Sequence, residues 1–140
     1  MARKQKASGS TSLSFFYNVT SHVGPLQSNP NLPDDVELVQ FFIMKIMPKL
    51  VPASNKLGLP RLTRSFDAVT GFWIYRTQEG TGSQTIDGIV SPAKSDTLYA
   101  PNSAWTIVRF NSHFQTQFPS EFANLPDNPL LSASLRASIR

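Results

Sequence analysis

The chain lacks cysteine altogether and has only two histidines among its 140 residues. The missing thiols exclude disulfides, thiol catalysis and cysteine-ligated zinc or iron–sulfur sites. The two histidines, His22 and His113, provide little material for a histidine-rich zinc site or a Ser-His-Asp triad. We therefore expect no metal and no cofactor.

Long apolar runs are also missing. The longest, Phe41-Phe42-Ile43-Met44, is interrupted by Lys45, and a membrane-spanning helix needs roughly 20 apolar residues. The basic start of the chain has no apolar segment behind it of the kind that is typical of a secretory signal. We therefore expect a protein that is made in a cytoplasm and has no membrane partner.

The residues that are present suit one folded unit. Hydrophobic residues make up 40% of the chain, and ten Phe, two Trp and three Tyr supply apolar area for a single core. Eleven prolines against seven glycines predict many loops and short elements. The net charge of +4 permits an anionic partner. Because the basic residues are scattered outside the N-terminus, we do not expect nucleic acid as a partner.

Composition divides the chain into an N-terminal arm (1–25), a helical domain (26–115) and a C-terminal tail (116–140). Residues 1–12 are basic and then Gly/Ser-rich, so they form either a disordered tail or an arm that orders on a partner. In the second case the partner contacts are made by Arg3, Lys4 and Lys6. The next segment, 13–25, has apolar residues at a spacing of two and predicts a short extended stretch.

Helical periodicity predicts four helices, at about 34–47, 66–78, 102–115 and 128–140. The first is apolar around much of its circumference, which indicates a helix sandwiched in the core or covering a partner, and Pro48 should end it. On the second helix, Phe66, Val69, Trp73 and Arg76 share one face. Asn102 or Ser103 should cap the third.

The terminal helix carries a narrow apolar stripe made by Leu131, Leu135 and Ile139. Such a stripe fits a groove on a partner or the chain's own core, and the sequence leaves both open. We expect residues 1–25 and 116–140 to reach away from the helical core and to bind neighbouring chains.

Groups that could carry catalysis are sparse. Most of the nine acidic residues lie beside turn or cap positions, where carboxylates have structural roles. The only candidate for a Gly-rich phosphate loop, Gly80-Thr-Gly82, precedes no helix that starts with Lys-Ser/Thr. We therefore expect that the chain is not an enzyme.

One pattern of residues resembles the peptidoglycan-binding-like domain family, over residues 19–111. Its best-kept parts are Asp35-Val36-x-x-Val39-Gln40, a helix ending in Gln78, and Ile86-Asp87-Gly88 followed by Pro92. A first copy of the Asp-Gly loop keeps Phe66 and Thr70, with Thr63 and Arg64 where the family has Asp-Gly. The signature residues are Asp35, Val36, Val39, Gln40, Phe66, Thr70, Gln78, Asp87, Gly88 and Pro92.

The resemblance implies a mainly α fold, a small three-helix peptidoglycan-binding-like bundle with long loops, an extended N-terminal arm and a C-terminal tail helix. For function we expect a non-catalytic structural protein that contacts other protein subunits in the virion of a tailed bacteriophage. The alternative is a peptidoglycan-binding module of a lytic or injection system, located in the bacterial cell envelope.

Two residue-level predictions follow from the helices and the Asp-Gly loop. Trp73 and Trp105 each lie on the apolar stripe of a predicted helix, which favours core positions over sugar-stacking surfaces. Gly88 follows Asp87 in a tight turn and should have a positive φ.

Overall fold

Helices dominate the computed structural model, which describes residues 1–9, 12–51, 58–82, 85–95, 97–98 and 105–140. Within those ranges the α-helices are α1 (Pro33–Leu50), α2 (Ala68–Gly80), α3 (Thr106–Gln117), α4 (Pro119–Ala123) and α5 (Ala133–Ser138), with a 3-10 turn at Leu125–Asp127. The strands are β1 (Arg3–Lys6), β2 (Ser8–Gly9), β3 (Phe15–Asn18) and β4 (Thr97–Leu98). The prediction of a mainly α fold is confirmed.

Helix α1 lies at the centre of the molecule and packs against α2, α3 and α5. It is buried without interruption from Asp34 to Ile43, as expected of a helix that is apolar around most of its circumference. The prediction that Pro48 ends it is wrong. Pro48 lies in the last turn, where its ring removes one backbone donor, but the next turn resumes with a 2.8 Å hydrogen bond from Val51 N to Met47 O.

Helix α2 begins two residues later than predicted because Asp67 caps it. The Asp67 carboxylate accepts a 2.7 Å hydrogen bond from Thr70 N, which is the usual role of an N-cap aspartate. Phe66 therefore precedes the helix, and its ring covers Gly71, where a Cβ atom would lie 2.9 Å from Phe66 Cζ. The glycine in the middle of this helix makes room for that ring.

The predicted shared face of α2 is only partly right. Trp73 is 1% exposed, which confirms it as a core residue. Val69 and Arg76, however, lie in solvent, because the helix faces the core through Thr70, Trp73, Ile74, Thr77 and Gln78.

The N-terminal segment is part of the folded unit. Strands β1 and β3 pair antiparallel, with Arg3 opposite Asn18 and Lys6 opposite Phe15, and β2 pairs parallel with β4. Ala2 is 1% exposed. The expectation that residues 1–25 reach away from the core is wrong for the described residues, since β3 is buried on both sides and ties β1 to the core.

Side-chain amides fasten β3 to its neighbours in the way that a further strand would. Asn18 donates to Ala93 O at 2.9 Å and accepts from Ala93 N at 3.0 Å. Asn111 of α3 accepts from Tyr17 N at 2.8 Å and donates to Tyr17 O at 2.9 Å. Asn111 thus satisfies backbone groups of the strand, and the Asn18 side chain satisfies backbone groups of the loop at Ala93.

The C-terminal segment also returns to the core. Part of it, residues 116–129, reads as loop in the sequence but contains α4 and the 3-10 turn, because Pro119 and Pro126 each stand in a first turn, where proline is tolerated. The tail helix is shorter than predicted. It starts after Ser132, which caps Leu135 N. Helix α3 begins at Thr106, and the proposed caps Asn102 and Ser103 lie outside the described residues.

The aromatic residues of α1, α3 and α4 meet at the centre. Phe41 and Phe42 of α1 contact Phe114 of α3 edge to face at 5.5 and 5.6 Å between ring centroids. Tyr17 contacts Phe122 of α4, and its hydroxyl donates to Phe122 O at 2.6 Å. Among the described residues, no helix combines the length and the apolar character needed to cross a bilayer.

Candidate functional site

A buried glutamine of α1 organises the first helix connection. Gln40 is 0% exposed, and its Nε2 donates to Thr63 Oγ1 at 2.9 Å, Thr70 Oγ1 at 3.0 Å and Ser65 O at 3.2 Å. Its Oε1 accepts from Thr63 N at 3.0 Å and Arg64 N at 3.2 Å. One side chain thus holds the turn 63–65, here called the first glutamine loop, against the start of α2.

A second buried glutamine does the same between α2 and α3. Gln78 Nε2 donates to Ile89 O at 3.0 Å, Thr106 Oγ1 at 3.1 Å and Asp87 Oδ1 at 3.2 Å. Its Oε1 accepts from Gly88 N at 2.8 Å. This glutamine holds the turn 87–89, the second glutamine loop, against the start of α3.

The two loops correspond position by position. Thr63 Oγ1 and Asp87 Oδ1 each accept from their loop's glutamine and from the backbone N–H two residues on, at 3.3 and 2.9 Å. The next residue has positive φ in both, +65° at Arg64 and +74° at Gly88. The predicted positive φ of Gly88 is confirmed. Thr63-Arg64 therefore occupies the positions in the first loop that Asp87-Gly88 occupies in the second.

Arg64 adds a contact that glycine has no side chain to make. Its Nη2 lies 2.6 Å from Asp34 Oδ1 and its Nε lies 3.3 Å from Glu37 Oε1. Both carboxylates belong to the first turns of α1 and are buried, with exposures of 3% and 2%. Ser132 N and Oγ donate to Glu37 at 2.8 and 2.6 Å, and Ser134 Oγ donates to Asp34 at 2.9 Å. The acidic cluster therefore joins the first loop, α1 and α5.

The remaining signature residues also have structural contacts. Asp35 accepts from Ser21 N at 2.9 Å and Ser21 Oγ at 2.8 Å, which fixes the connection between β3 and α1. Val36 and Val39 are core residues at 0% exposure, and Pro92 is half-buried beside Ala93. The structure thus assigns this group of residues to the fold.

The predicted partner contacts separate into two groups. Arg3, Lys4 and Lys6 are exposed on β1, and Lys4 Nζ lies 4.1 Å above the Phe15 ring. The apolar stripe of the tail is covered by the chain's own core, with exposures of 3% at Leu131 and 0% at Leu135 and Ile139. This corrects the expectation that the tail stripe is open to a partner, because its apolar area is already buried.

A shallow cleft of about 160 Å³ adjoins the second loop. Trp105, predicted as a core residue, is only partly buried and lines the cleft. The remaining lining is mainly polar: Thr85, Asp87, Ile89, Ser91 and Thr106. The exposed His22 contacts Ser91 Oγ through its Nδ1 at 3.0 Å. The cleft therefore combines an aromatic surface with hydroxyls and one carboxylate.

A second surface lies on the solvent side of α2. It consists of Val69, Phe72 and Tyr75, and we call it the α2 face. These side chains are 47%, 51% and 47% exposed. This surface could not be predicted from the sequence, because periodicity shows that apolar residues share a stripe and does not show which stripe meets the core.

Among the described residues, the Asp, Glu and His side chains are not grouped as a metal site would require. In the described parts of the chain, no group of three or more His, Asp or Glu side chains could hold a metal ion. His113 is half-buried on α3, where desolvation, and secondarily the Arg109 charge, lower its pKa below the ordinary value of 6.5.

Sequence reasoning found Gln40 and Gln78 but missed their shared role. A signal was present, because a threonine follows each glutamine at a similar distance, 30 residues on at Thr70 and 28 residues on at Thr106.

No protein-family model, curated protein sequence or solved structure matches the chain.

Proposed function

We propose that this chain is a non-catalytic structural protein that binds other protein subunits of a large assembly, built on a scaffold of the peptidoglycan-binding-like type. The proposed assembly is the virion of a tailed phage, a setting that suits small domains with this resemblance.

The use of the polar side chains is the observation that carries the proposal. Gln40, Gln78, Asp35 and Glu37 are buried and bind backbone groups of adjoining segments. Groups engaged in this way are poorly suited to proton transfer, which needs a side chain within reach of a substrate. The α2 face, in contrast, exposes apolar side chains to solvent. Large exposed apolar residues favour protein contact.

The glutamine loops support the scaffold assignment. Residues that carry the sequence resemblance, among them Gln40, Thr70, Gln78 and Asp87, take part in the two equivalent hydrogen-bond networks. These residues therefore have a shared structural role within this chain, which supports the proposed scaffold. It concerns the scaffold and leaves the bound partner to experiment.

Peptidoglycan binding is the second candidate function, and the cleft beside the second loop favours it. Sugar rings pack against aromatic surfaces and accept hydrogen bonds from hydroxyls. Trp105 offers an aromatic surface, Ser91 a hydroxyl, and Asp87 a carboxylate that can accept from sugar hydroxyls, around one concave surface. This candidate would place the protein in the bacterial cell envelope.

Co-sedimentation with purified peptidoglycan sacculi separates the two candidates. We expect the full chain to stay in the supernatant. Pelleting that is lost in Trp105→Ala and kept in Phe72→Ser, a change outside the cleft, would replace the first candidate by the second. For the assembly, we expect gradient-purified particles of a tailed phage encoding this chain to contain it in a fixed number of copies. Its absence from such particles would contradict the virion assignment.

A further inference from the structure

We infer that a cluster of lysines around α4 binds an acidic segment of another protein. The inference rests on the proposed function, because it assigns a chemistry to one of the protein subunits that the chain contacts. The surface combines lysines from β1 and α1 with two aromatic rings, and we call it the lysine patch. Its members are Lys4, Lys6, Lys45, Lys49, Phe15 and Phe118.

The β1 lysines lie on one face of the ribbon that β1 forms with β3. Lys4 and Lys6 are directly opposite Tyr17 and Phe15, and opposite side chains of an antiparallel pair point to the same side of the sheet. Both lysines are exposed. Lys4 Nζ lies 4.1 Å from the centroid of the Phe15 ring, which stacks on Phe122 at 5.1 Å. This pair of lysines therefore adjoins the last turn of α4.

The α1 lysines adjoin the other end of the same helix. Lys45 and Lys49 are one turn apart on α1, and the Nζ atom of each lies 4.5 Å from the centroid of the Phe118 ring. Phe118 immediately precedes α4 and lies four residues before Phe122, about 6 Å along the axis at ~1.5 Å per residue. The two lysine pairs thus lie at the two ends of one short helix.

The carboxylates around the patch leave most of its charge unbalanced. Glu121 of α4 lies 3.1 Å from Lys45 Nζ, and among the described residues it is the carboxylate that pairs with a patch lysine. The next acidic residue along the chain, Asp127, pairs with Arg140 at 3.4 Å. Four lysines against one carboxylate repel each other in the single chain, and an anionic partner would relieve that repulsion.

The aromatic rings hold the lysines in place before a partner binds. The three cation–π contacts within the described residues all lie in this patch. Ordering a free lysine side chain on binding costs rotamer entropy. An ammonium group that already rests on a ring loses less of it, so the patch is better organised for binding than dispersed surface lysines are.

The arrangement favours an acidic protein segment over nucleic acid. Single strands bind through bases that stack on free aromatic faces, whereas Phe15 and Phe118 already contact lysines and neighbouring rings. A duplex is uniformly negative along its length, so it would bring phosphates against Glu121, whose side chain is 39% exposed. A polypeptide can place acidic residues opposite the lysines and a neutral residue opposite Glu121.

Fluorescence anisotropy of a labelled peptide of alternating glutamate and serine tests the inference. We expect the full chain to bind it, and added salt to weaken the binding by screening. Lys4→Gln/Lys6→Gln and Lys45→Gln/Lys49→Gln should each raise the dissociation constant about tenfold, at roughly threefold for each lost ion pair. Arg61→Gln/Arg76→Gln is the matched control. It removes the same charge from exposed residues outside the patch and should bind like the wild type.

Glu121→Gln should act in the opposite direction. It removes the one carboxylate of the patch, so we expect the dissociation constant to fall about threefold. Circular dichroism checks that all variants are folded. A wild type that does not bind the peptide, or a control that weakens as much as the lysine variants, would overturn the site. An unchanged or weaker affinity in Glu121→Gln would overturn the placement of the ligand across α4. A DNA duplex of equal charge that binds more tightly than the peptide would overturn the choice of a protein segment.

This inference and the proposed function fail separately. A chain that does not bind the acidic peptide but occurs in a fixed number of copies in phage particles would overturn the lysine patch and leave the proposed function in place. A chain that binds sacculi through the Trp105 cleft would overturn the proposed function, whether or not the patch binds the peptide.

Discussion

The two glutamine loops reach the same backbone geometry by different chemistry. In the second loop Gly88 supplies the positive φ, and a Cβ there would meet no atom within 4 Å. In the first loop Arg64 adopts φ +65°, which costs an L-residue roughly 1–2 kcal/mol. Arg64 offsets that strain with ion pairs to Asp34 and Glu37. The first loop therefore has the backbone geometry of the second without a glycine, and Asp34 and Glu37 also link it to Ser132 and Ser134 in the tail.

Helix α2 contributes to both hydrogen-bond networks, through Thr70 in the first and Gln78 in the second. Trp73 is the main residue that anchors this helix in the core. Its side chain is 1% exposed and its Nε1 donates to Gly58 O at 2.9 Å, in the first connection. We expect Trp73→Ala to lower the free energy of unfolding by about 3–5 kcal/mol, as for other buried aromatic truncations. Urea denaturation measures the change.

Phe72→Ala is the control for Trp73→Ala, because Phe72 is the adjacent residue and is 51% exposed. In the monomeric chain, Phe72→Ala should lower the free energy of unfolding by much less than Trp73→Ala does. Equal losses in the two variants would mean that Trp73 has no special role as an anchor.

The glutamines should matter about equally to their two loops. Replacing either by Leu leaves buried loop groups without partners, and we expect a loss of about 1–3 kcal/mol for each variant. Replacement by Glu should lower the stability of the two loops by different amounts. Gln78→Glu places a carboxylate near Asp87 Oδ1, 3.2 Å from the present Nε2, whereas Gln40→Glu faces Thr63 and Thr70 hydroxyls that can rotate to donate. Urea midpoints should show Gln78→Glu as the less stable of the two.

The parts of the fold that could be predicted are those that depend on residues close together in the sequence. Asp34 and Asp35 before a broad apolar surface gave α1 to within a few residues, and the Asp87-Gly88 pair gave the second loop. The apolar stripe of the tail was visible, but a stripe predicts burial and does not tell against which surface. The pairing of β1 with β3 has no signal in Arg3–Lys6, since this segment is polar and joins β3 through its backbone groups.

The candidate site was harder to predict for the same reason. Gln40 bonds to Thr63 and Thr70 across 23 and 30 residues, and such contacts follow from helix packing. The positive φ at Arg64 could not be predicted, because arginine is not a residue type that typically adopts this conformation. The predicted face of α2 grouped Val69 with Trp73, and only the packing of α2 decides that Trp73 is buried while Val69 is exposed.

Substitutions at the positive-φ residue measure the conformational difference between the loops. Gly88→Ala should cost about 1–2 kcal/mol, because alanine disfavours that conformation. At position 64, we expect Arg64→Gly to be more stable than Arg64→Ala by a similar amount. Both should be less stable than wild type, since both leave Asp34 and Glu37 without the guanidinium. Thermal or urea denaturation of the three variants provides the comparison, and an Arg64→Gly protein more stable than wild type would contradict the role of the ion pairs.

The smallest predicted effect is a pH dependence of stability that arises at the connection between α2 and α3. Arg109 donates to Thr81 O at 2.8 Å, just after α2, and lies one turn from His113. Burial, and secondarily this arginine, lower the pKa of His113 below 6.5. The unfolded chain therefore binds a proton near pH 6.5 that the folded chain resists, so stability should fall as the pH drops below that value and should not change through His113 above it. His113→Gln should flatten the decrease in urea midpoint between pH 7 and pH 5.5. An unaltered slope in His113→Gln would contradict this role of His113.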